Sequence, residues 1–462
     1  MALDSAVGSG TVIPHVIKGR VDTNATKDFG AFRCPEINLD DLVWLRQRPG
    51  PAFDTPIRDI IDFLVEVGAA LDFDRNDYMQ EALEHSLAYN TLERRILENT
   101  YRTVPFFFDR RNLEFQVEQE TGWEAIDGWQ EVPRPFGNSG RVRAFPPRLA
   151  HVIAGNTPAV AVTTIVRGAL TKGVHLIKVP TNDLFTAAAI LRTMADVDPD
   201  HPTVQSFSAV YWKGGDTATE SAIMRPQFFD KMVVWGGEDS VRNALRYAGP
   251  GFEIVSFDPK VSISMVGREA YADDASIDDA AERAATDVTL FNQDACAASR
   301  YVYAEGDTEQ IDRFCERLLE KLRQERALSS AVAAPLSNEV RDEVEVLKTL
   351  EPIYRVWGDY SGAGLVVRSD DPVDFYPVSK TVNVVAVPSL EEAVRHANVA
   401  TQTVGIYPPQ RAAGLRDSLA SMGVQRIVAL GEVAQAVEGL PHDGFYPIRR
   451  VMRWVLDDAP PD

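Results

Sequence analysis

Short apolar runs alternate with longer mixed stretches through the middle of the chain. The runs are rich in β-branched or aromatic residues and are bounded by turn-forming residues, a pattern that predicts strands. They lie at residues 151–154, 174–179, 207–212, 232–235 and 253–257. The stretches between them predict helices at residues 158–171, 184–195 and 240–247. Alternating strands and helices predict a doubly wound parallel sheet.

A second block with the same character extends from Val261 to about Gly423. Strand-like runs at residues 300–303 and 381–387 and a helical stretch at 308–327 predict a second α/β domain. Before residue 145 the pattern is less regular and indicates an extended segment at 11–18 and helices at 59–71 and 78–99. The tail from Gly431 to Trp454 keeps apolar side chains and is expected to pack on the body or on a partner subunit.

We therefore divide the chain into three segments, residues 1–259, 260–430 and 431–462. No repeat or low-complexity linker separates them, which favours intertwined domains.

Composition and charge exclude several classes of function. The chain has 462 residues, with 47 Lys and Arg against 68 Asp and Glu, so the formal net charge is −21. Such a charge repels nucleic acid and anionic lipid. No stretch reaches the ~18 apolar residues of a membrane span, and Met1–Gly10 lack the features of a signal peptide. We expect a soluble, cytoplasmic protein that binds no nucleic acid and does not span the membrane.

The cysteines suggest one nucleophile. Cys34, Cys296 and Cys315 are widely spaced, which predicts neither a disulfide framework nor a metal site. Cys296 stands among small residues between a predicted helix and a predicted strand, where a thiolate is suited to attack a carbonyl. A cysteine is more often a small buried hydrophobe, and Cys34 and Cys315 fit that interpretation.

Several polar and glycine positions follow the predicted strands closely. Asn156 precedes a helix, where its amide would cap the helix or donate to an oxyanion. Lys178 ends a strand, at the edge where open α/β sheets bind ligands, although a solvated lysine is an equal alternative. Two glycine pairs follow later strands and allow a pyrophosphate to approach the backbone, or serve as tight turns. The pairs are Gly214-Gly215 and Gly236-Gly237.

The order Gly-Asn-x-Pro, Ile-Lys-x-Pro, Gly-Gly, Gly-Gly and Asn-Gln-x-x-Cys resembles the aldehyde dehydrogenase superfamily. It resembles more closely the long-chain acyl-CoA reductases of bacterial bioluminescence, most clearly over residues 151–212, 292–296 and 443–447. The resemblance covers roughly residues 145–455 and implies an aldehyde dehydrogenase-like fold. Residues 1–259 would then include the dinucleotide-binding domain, and residues 260–430 would form the catalytic cysteine domain.

By position, the resemblance implies that Cys296 becomes acylated and that Asn156 supplies an oxyanion donor. It further implies that Lys178 contacts the adenosine ribose and that the glycine pairs lie along the dinucleotide. A homo-oligomer is also implied. We assign no catalytic histidine.

Two departures from the aldehyde-oxidising pattern are informative. Residues 257–260 read Phe-Asp-Pro-Lys where those enzymes carry Glu-Leu-Gly-Gly-Lys, so the general base that activates water is missing. Thr181 stands where NAD-preferring relatives often carry a ribose-binding glutamate, which permits NADPH, while Asp183 keeps NADH open. The first departure favours reduction over oxidation.

The sequence thus predicts that NADPH, or NADH, reduces an acyl thioester to an aldehyde through an acyl-cysteine. The acyl donor is acyl-CoA, an acyl-carrier thioester, or an acyl-transferring or acyl-activating partner protein. The alternatives are an acyl-phosphate reductase, an aldehyde dehydrogenase, a cofactor-independent acyltransferase or thioesterase, and an idle scaffold subunit. Neither acyl chain length nor oligomeric state can be read from the pattern.

Overall fold

A computed structural model describes residues 10–135, 139–435 and 437–459. The chain divides into two compact units. The first contains the residues up to Asp258 and those from Glu438 onward, and the second is Pro259–Val437.

The strands of the described residues are β1 (His15–Ile17), β2 (Arg20–Asp22), β3 (Lys27–Asp28), β4 (Arg33–Cys34), β5 (Gln130–Pro133), β6 (Ser139–Phe145), β7 (Arg148–Val152), β8 (Val174–Lys178), β9 (Phe207–Val210), β10 (Lys231–Trp235), β11 (Glu253–Phe257), β12 (Val261–Val266), β13 (Ser299–Glu305), β14 (Arg355–Gly358), β15 (Leu365–Ser369), β16 (Thr381–Val387), β17 (Thr401–Tyr407), β18 (Arg426–Ala429) and β19 (Arg453–Asp457).

The α-helices are α1 (Leu39–Leu42), α2 (Ile57–Ala70), α3 (Asp77–Ser86), α4 (Arg94–Thr103), α5 (Arg110–Glu120), α6 (Trp123–Asp127), α7 (Ala159–Leu170), α8 (Thr186–Val197), α9 (Pro202–Gln205), α10 (Thr217–Ile223), α11 (Glu238–Leu245), α12 (Asp274–Thr289), α13 (Thr308–Leu322), α14 (Asn338–Lys348), α15 (Leu390–Ala393), α16 (Ala412–Met422) and α17 (Pro447–Val451). Short 3-10 helices lie at Val104–Phe108, Arg268–Tyr271, Leu290–Gln293, Val394–His396 and Pro409–Arg411.

The main sheet of the first unit has the strand order β11-β10-β7-β8-β9-β1-β2. From β11 to β9 neighbouring strands are parallel, and β1 and β2 add at one side in antiparallel pairing. Among the parallel strands, β7 comes first in the chain and lies in the middle. Strands β8 and β9 follow on one side of it, and β10 and β11 are then added on the other side. This reversal is the topological switch point of a doubly wound sheet, and the prediction of that fold class is confirmed.

The second unit repeats the principle in a sheet ordered β14-β15-β16-β13-β12-β17-β18. Only β14 pairs antiparallel within this sheet, and the remaining neighbours are parallel. Strands β15, β16 and β17 are buried almost throughout, as expected for parallel strands covered on both faces. The predicted second α/β domain is therefore present.

Two predicted helices differ in the structure. The stretch 78–99 forms two helices, α3 and α4, because the Asn90 side chain between them accepts a hydrogen bond from Leu92 N at 2.9 Å, a local bond that competes with helix continuation. The stretch 308–327 ends at Leu322, and the backbones of Arg326 and Ser329 pair with each other instead.

The tail from residue 438 packs on the first unit. Strand β19 pairs antiparallel with β6, and β6 pairs with β5 in a three-stranded sheet. The buried carboxylate of Glu120 accepts hydrogen bonds from Ile448 N at 2.5 Å and Arg449 N at 3.1 Å at the start of α17. Within the described residues, every helix is too short or too polar to cross a lipid bilayer.

Candidate active site

The carboxyl edge of the first sheet collects the residues that the sequence singled out. Because the carboxyl ends of parallel strands meet at one edge, the segments that follow β7, β8, β9 and β10 lie side by side there. Lys178 is the last residue of β8. The segments after β7, β9 and β10 carry Asn156, Gly214-Gly215 and Gly236-Gly237, respectively. A cavity of about 360 Å³ opens at this edge. It is lined by Val152, Lys178, Gly214, Gly215, Glu220, Met224, Met232, Asp239, Ser240, Asn243, Ala244 and Tyr247.

Lys178 is a buried cation at the end of β8. Its side chain lines the cavity, the residue is only 8% exposed, and Nζ lies 5.6 Å from the centroid of the Tyr211 ring. Within the described residues it forms no salt bridge. Burial lowers the pKa of Lys178 to about 8, and the carboxylate of Glu220 opposes that shift. A buried ammonium without an ion pair is suited to hold an anionic or hydroxyl-rich ligand.

The two glycine pairs differ in their surroundings. A Cβ atom added at Gly214, Gly215 or Gly237 would meet no atom within 4 Å, so these backbones face open space. Gly215 has a φ of +80°, a conformation that disfavours other residues. A Cβ at Gly236 would lie 2.9 Å from the Cβ of Ser240, and Gly237 is the N-cap residue of α11.

Asn156 lies in the short segment between β7 and α7. Pro158 occupies the N-cap of α7 and its side chain makes no capping hydrogen bond, whereas Thr157 Oγ1 accepts a hydrogen bond from Ala159 N at 3.4 Å. Gly155 is tightly enclosed, because an added Cβ would lie 2.3 Å from Asn182 Oδ1 and 2.7 Å from Pro180 Cγ. Asn90 Nδ2 donates a hydrogen bond to Gly155 O at 3.0 Å.

The N-terminal region supports the same edge, a role the sequence did not reveal. His15 on β1 accepts a hydrogen bond from Tyr211 N at 3.1 Å. Phe29 and Phe32, beside the β3–β4 hairpin, each pack edge-on against the Tyr211 ring at 5.0 Å. No local pattern could have linked these residues to Lys178, since the contacts span about 200 positions of the chain.

The two positions that the sequence associates with cofactor choice, Thr181 and Asp183, differ in burial. Thr181 is exposed, and its Oγ1 lies 3.4 Å from the hydroxyl of Tyr211. Asp183 is fully buried and accepts a hydrogen bond from Thr186 N at the start of α8. Burial raises the pKa of Asp183. Its carboxyl therefore serves helix α8.

Residues 257–260, where the aldehyde-oxidising pattern carries its general base, begin with a buried aromatic residue. The Phe257 ring stacks on Trp235 with centroids 3.7 Å apart and also contacts His442 and Phe445. Asp258 is exposed. His151 and His175 are buried 3.1 Å apart, and burial lowers the pKa of His151 to about 3. Burial also lowers the pKa of His175 well below its usual value, so both imidazoles are weak bases.

Cys296 occupies a loop in the second unit between a 3-10 turn and β13, and it is exposed. The preceding residues Phe291, Asn292 and Gln293 all have positive φ, at 50°, 53° and 74°. Such a run in residues other than glycine is strained and persists only where the surroundings enforce it. The loop is therefore held in one conformation by its contacts.

Those contacts are hydrogen bonds to buried groups. Asn292 exchanges two hydrogen bonds with Ser330, at 2.9 and 3.3 Å. Gln293 Nε2 donates to Ser299 O and Thr381 O, at 3.1 and 2.8 Å. Ser262 Oγ donates to the carbonyl oxygen of Cys296 itself at 2.8 Å. Hydrogen bonds therefore fix the loop both before Cys296 and at Cys296 itself.

The other two cysteines are buried. Burial raises the pKa of Cys34 to about 11 and that of Cys315 well above its ordinary value. Both thiols are protonated at neutral pH and are poor nucleophiles. Cys296 is the accessible cysteine of the described residues.

A model of a known family, acyl-CoA reductase (LuxC), matches residues 52–454 of the chain. The chain belongs to this family. The chain is thus an aldehyde-forming oxidoreductase, as the sequence predicted.

Three curated relatives of the chain are named long-chain acyl-protein thioester reductases. The protein from Vibrio harveyi is 29% identical over 461 residues, covering 97% of this chain and 93% of its own. That from Photorhabdus laumondii is 28% identical and covers 87% and 82%. That from Aliivibrio fischeri is 32% identical and covers 67% and 64%.

Solved structures show that the fold of the chain is aldehyde dehydrogenase-like. A lactaldehyde dehydrogenase superposes with a TM-score of 0.69 at 14% identity and covers 97% of this chain and 98% of its own. An NADP-dependent glyceraldehyde-3-phosphate dehydrogenase from Bacillus halodurans gives 0.71 at 13% identity, covering 96% and 98%.

Proposed function

We propose that this protein converts an acyl thioester to an aldehyde through Cys296. The observation that carries this proposal is the exposed thiol on a strained, clamped loop, in a chain whose other two cysteines are buried. A nucleophile must be accessible and held in place, and Cys296 meets both conditions.

The chemistry follows from the thiol. Cys296 Sγ attacks the carbonyl carbon of the thioester, the carbonyl oxygen becomes an oxyanion, and the thiol of the donor leaves to give an acyl-cysteine. Asn156 is proposed to donate its side-chain amide hydrogen to that oxygen. When bound, a nicotinamide would supply a hydride to the carbonyl carbon of the acyl-cysteine, and the carbonyl oxygen would again carry the negative charge. When the bond between Sγ and the former carbonyl carbon breaks, Cys296 returns as the thiolate and the aldehyde departs.

The carboxyl edge of the first sheet fits a dinucleotide. The buried, unbridged ammonium of Lys178 and the bare backbones of Gly214 and Gly215 border one cavity of about 360 Å³. Lys178, Thr181 and the two glycine pairs are proposed to hold the cofactor. We favour NADPH because Thr181 carries no charge and Asp183 is turned into α8, and NADH is the alternative.

Reduction rather than hydrolysis is supported at residues 257–258. The buried Phe257 ring stacks on Trp235, and the nearest carboxylate in sequence, Asp258, is exposed. An acyl-cysteine is hydrolysed when a general base activates water, and this segment offers no buried base. The acyl-cysteine is therefore not hydrolysed and persists until it is reduced.

The donor is proposed to be a thioester of coenzyme A or of an acyl-carrying protein. The names of the curated relatives, acyl-protein thioester reductases, support the second. A homo-oligomer remains a prediction.

The test is NADPH oxidation, followed by absorbance with direct detection of aldehyde, over a series of acyl-CoA thioesters of graded length. Wild type is compared with Cys296→Ala, with Cys34→Ala as the matched control because its thiol is buried. We expect turnover in wild type and in the control, and its loss in Cys296→Ala. Thiol release without NADPH oxidation would instead indicate an acyltransferase or thioesterase, and turnover by Cys296→Ala would overturn the proposal.

A further inference from the structure

Glu220 is a buried carboxylate that the proposed mechanism does not use. It lies on α10, is 6% exposed, and lines the same cavity as Lys178. A buried carboxylate is costly unless hydrogen bonds and a positive charge compensate it.

The carboxylate connects two parts of the cavity wall. Its Oε1 accepts hydrogen bonds from Gly215 N at 3.0 Å and from Trp212 Nε1 at 3.4 Å. Its Oε2 accepts hydrogen bonds from Asn243 Nδ2 and from the Tyr247 hydroxyl, both at 2.9 Å. The glycine turn after β9 is thereby tied to helix α11 across the cavity.

The same carboxylate acts on Lys178 electrostatically. Burial favours the neutral amine of Lys178, whereas the negative charge of Glu220 favours the ammonium. Two other titratable groups line the cavity, Asp239 and Tyr247, and the ring of Tyr211 faces Nζ. Asp239 is exposed, so water screens its charge.

We propose that Glu220 is a positioning residue of the dinucleotide site, which fixes the Gly215 turn against α11 and keeps Lys178 in its ammonium form. Both oxygens of Glu220 are engaged by protein donors, so it acts through Lys178 and Gly215 rather than by binding the cofactor. This inference rests on the proposed function, because it takes the cavity to be the dinucleotide site.

The experiment is calorimetric titration of the full chain with NADPH and with NADH between pH 6 and pH 9.5, which reports binding without turnover. An ammonium that pairs with the ligand loses its charge as the pH rises through its pKa, so the affinity of wild type falls at the alkaline end. In Glu220→Gln the fall begins at lower pH, and the dissociation constant at pH 8.5 rises about fivefold. The matched control Glu118→Gln removes an exposed carboxylate of α5, outside this cavity, and keeps the wild-type profile.

Lys178→Met tests the coupling independently and serves if Glu220→Gln does not fold. In this variant the affinity for the dinucleotide no longer falls at alkaline pH. Adding Glu220→Gln to Lys178→Met produces no further change in how the affinity depends on pH. An alkaline fall that persists in Lys178→Met, or a Glu220→Gln profile identical to wild type, overturns the inference while leaving the dinucleotide site intact. Wild type that binds neither dinucleotide overturns the proposed function and this inference together.

Discussion

His151 and Val152 are neighbours on β7, yet they line different cavities on opposite faces of the first sheet. Val152 borders the cavity of about 360 Å³ beside Lys178. His151 borders a cavity of about 30 Å³ between the sheet and helix α7. Alternation of side chains along a strand accounts for this arrangement. Strand β7 therefore presents one face to the proposed dinucleotide site and the other to helix α7.

Gly155→Ala is expected to reduce turnover strongly. The added Cβ would lie 2.3 Å from Asn182 Oδ1 and 2.7 Å from Pro180 Cγ. Because the proline ring cannot turn away, the segment that carries the proposed oxyanion donor Asn156 shifts, and misplacement of such a group by about 1 Å costs about 100-fold in rate. The measurement is kcat with an acyl-CoA. The matched control is Gly414→Ala on α16, where an added Cβ meets no atom within 4 Å. Equal activity of the two variants would contradict the prediction.

Asn292→Ala is expected to loosen the loop of Cys296. The change removes both hydrogen bonds to Ser330, which costs about 1–3 kcal/mol of unfolding free energy, and it leaves the strained φ without support. We expect a lower kcat and faster alkylation of Cys296, followed by mass spectrometry. Asn112→Ala, which removes a single exposed hydrogen bond, is the control. Unchanged alkylation would argue against the clamp.

Asp287→Asn is expected to alter the dependence of stability on pH. Burial raises the pKa of Asp287 to about 7, although Gly431 N and Val433 N donate to its carboxylate. Between pH 4 and 7 the unfolded chain ionises this group and the folded chain does not, so its contribution to stability falls as the pH rises. An asparagine side chain does not titrate. Urea unfolding at several pH values should therefore show a smaller fall in the free energy of unfolding between pH 4 and 7 in the variant than in wild type. A pH dependence identical to wild type would show that Asp287 is not its source.

Arg167→Met is expected to destabilise the docking of the tail. Arg167 Nη2 pairs with Glu438 Oε2 at 2.7 Å, and both side chains are largely buried. Removing one partner of a buried pair leaves an uncompensated charge and costs about 3–5 kcal/mol. Hydrogen exchange of residues 438–459 and urea unfolding provide the measurement. In contrast, Arg242→Met breaks an exposed pair with Glu238 and should cost less than about 1 kcal/mol.

Much of the cofactor half could be predicted from the sequence because its signals are local. Apolar runs marked β7 to β11, and the residues after them necessarily share one edge of a parallel sheet. The predicted strand began three residues after the observed start of β7 at Arg148, a charged residue that the structure buries. In the structure its guanidinium is satisfied by carbonyl oxygens of Trp44, Leu45 and Arg48, and such distant partners leave no trace in a local pattern.

The sequence by itself determined the strand–helix alternation, the doubly wound sheets and the small set of residues that could carry the chemistry, since periodicity and residue type act over a few neighbouring positions. Only the tertiary structure decided that Cys296 is exposed while Cys34 and Cys315 are buried. It likewise decided that Asn90 supports Gly155 and that Glu220 lines the cavity of Lys178. Burial, hydrogen bonding and electrostatic coupling depend on which distant segments meet, and that is settled only when the chain is folded.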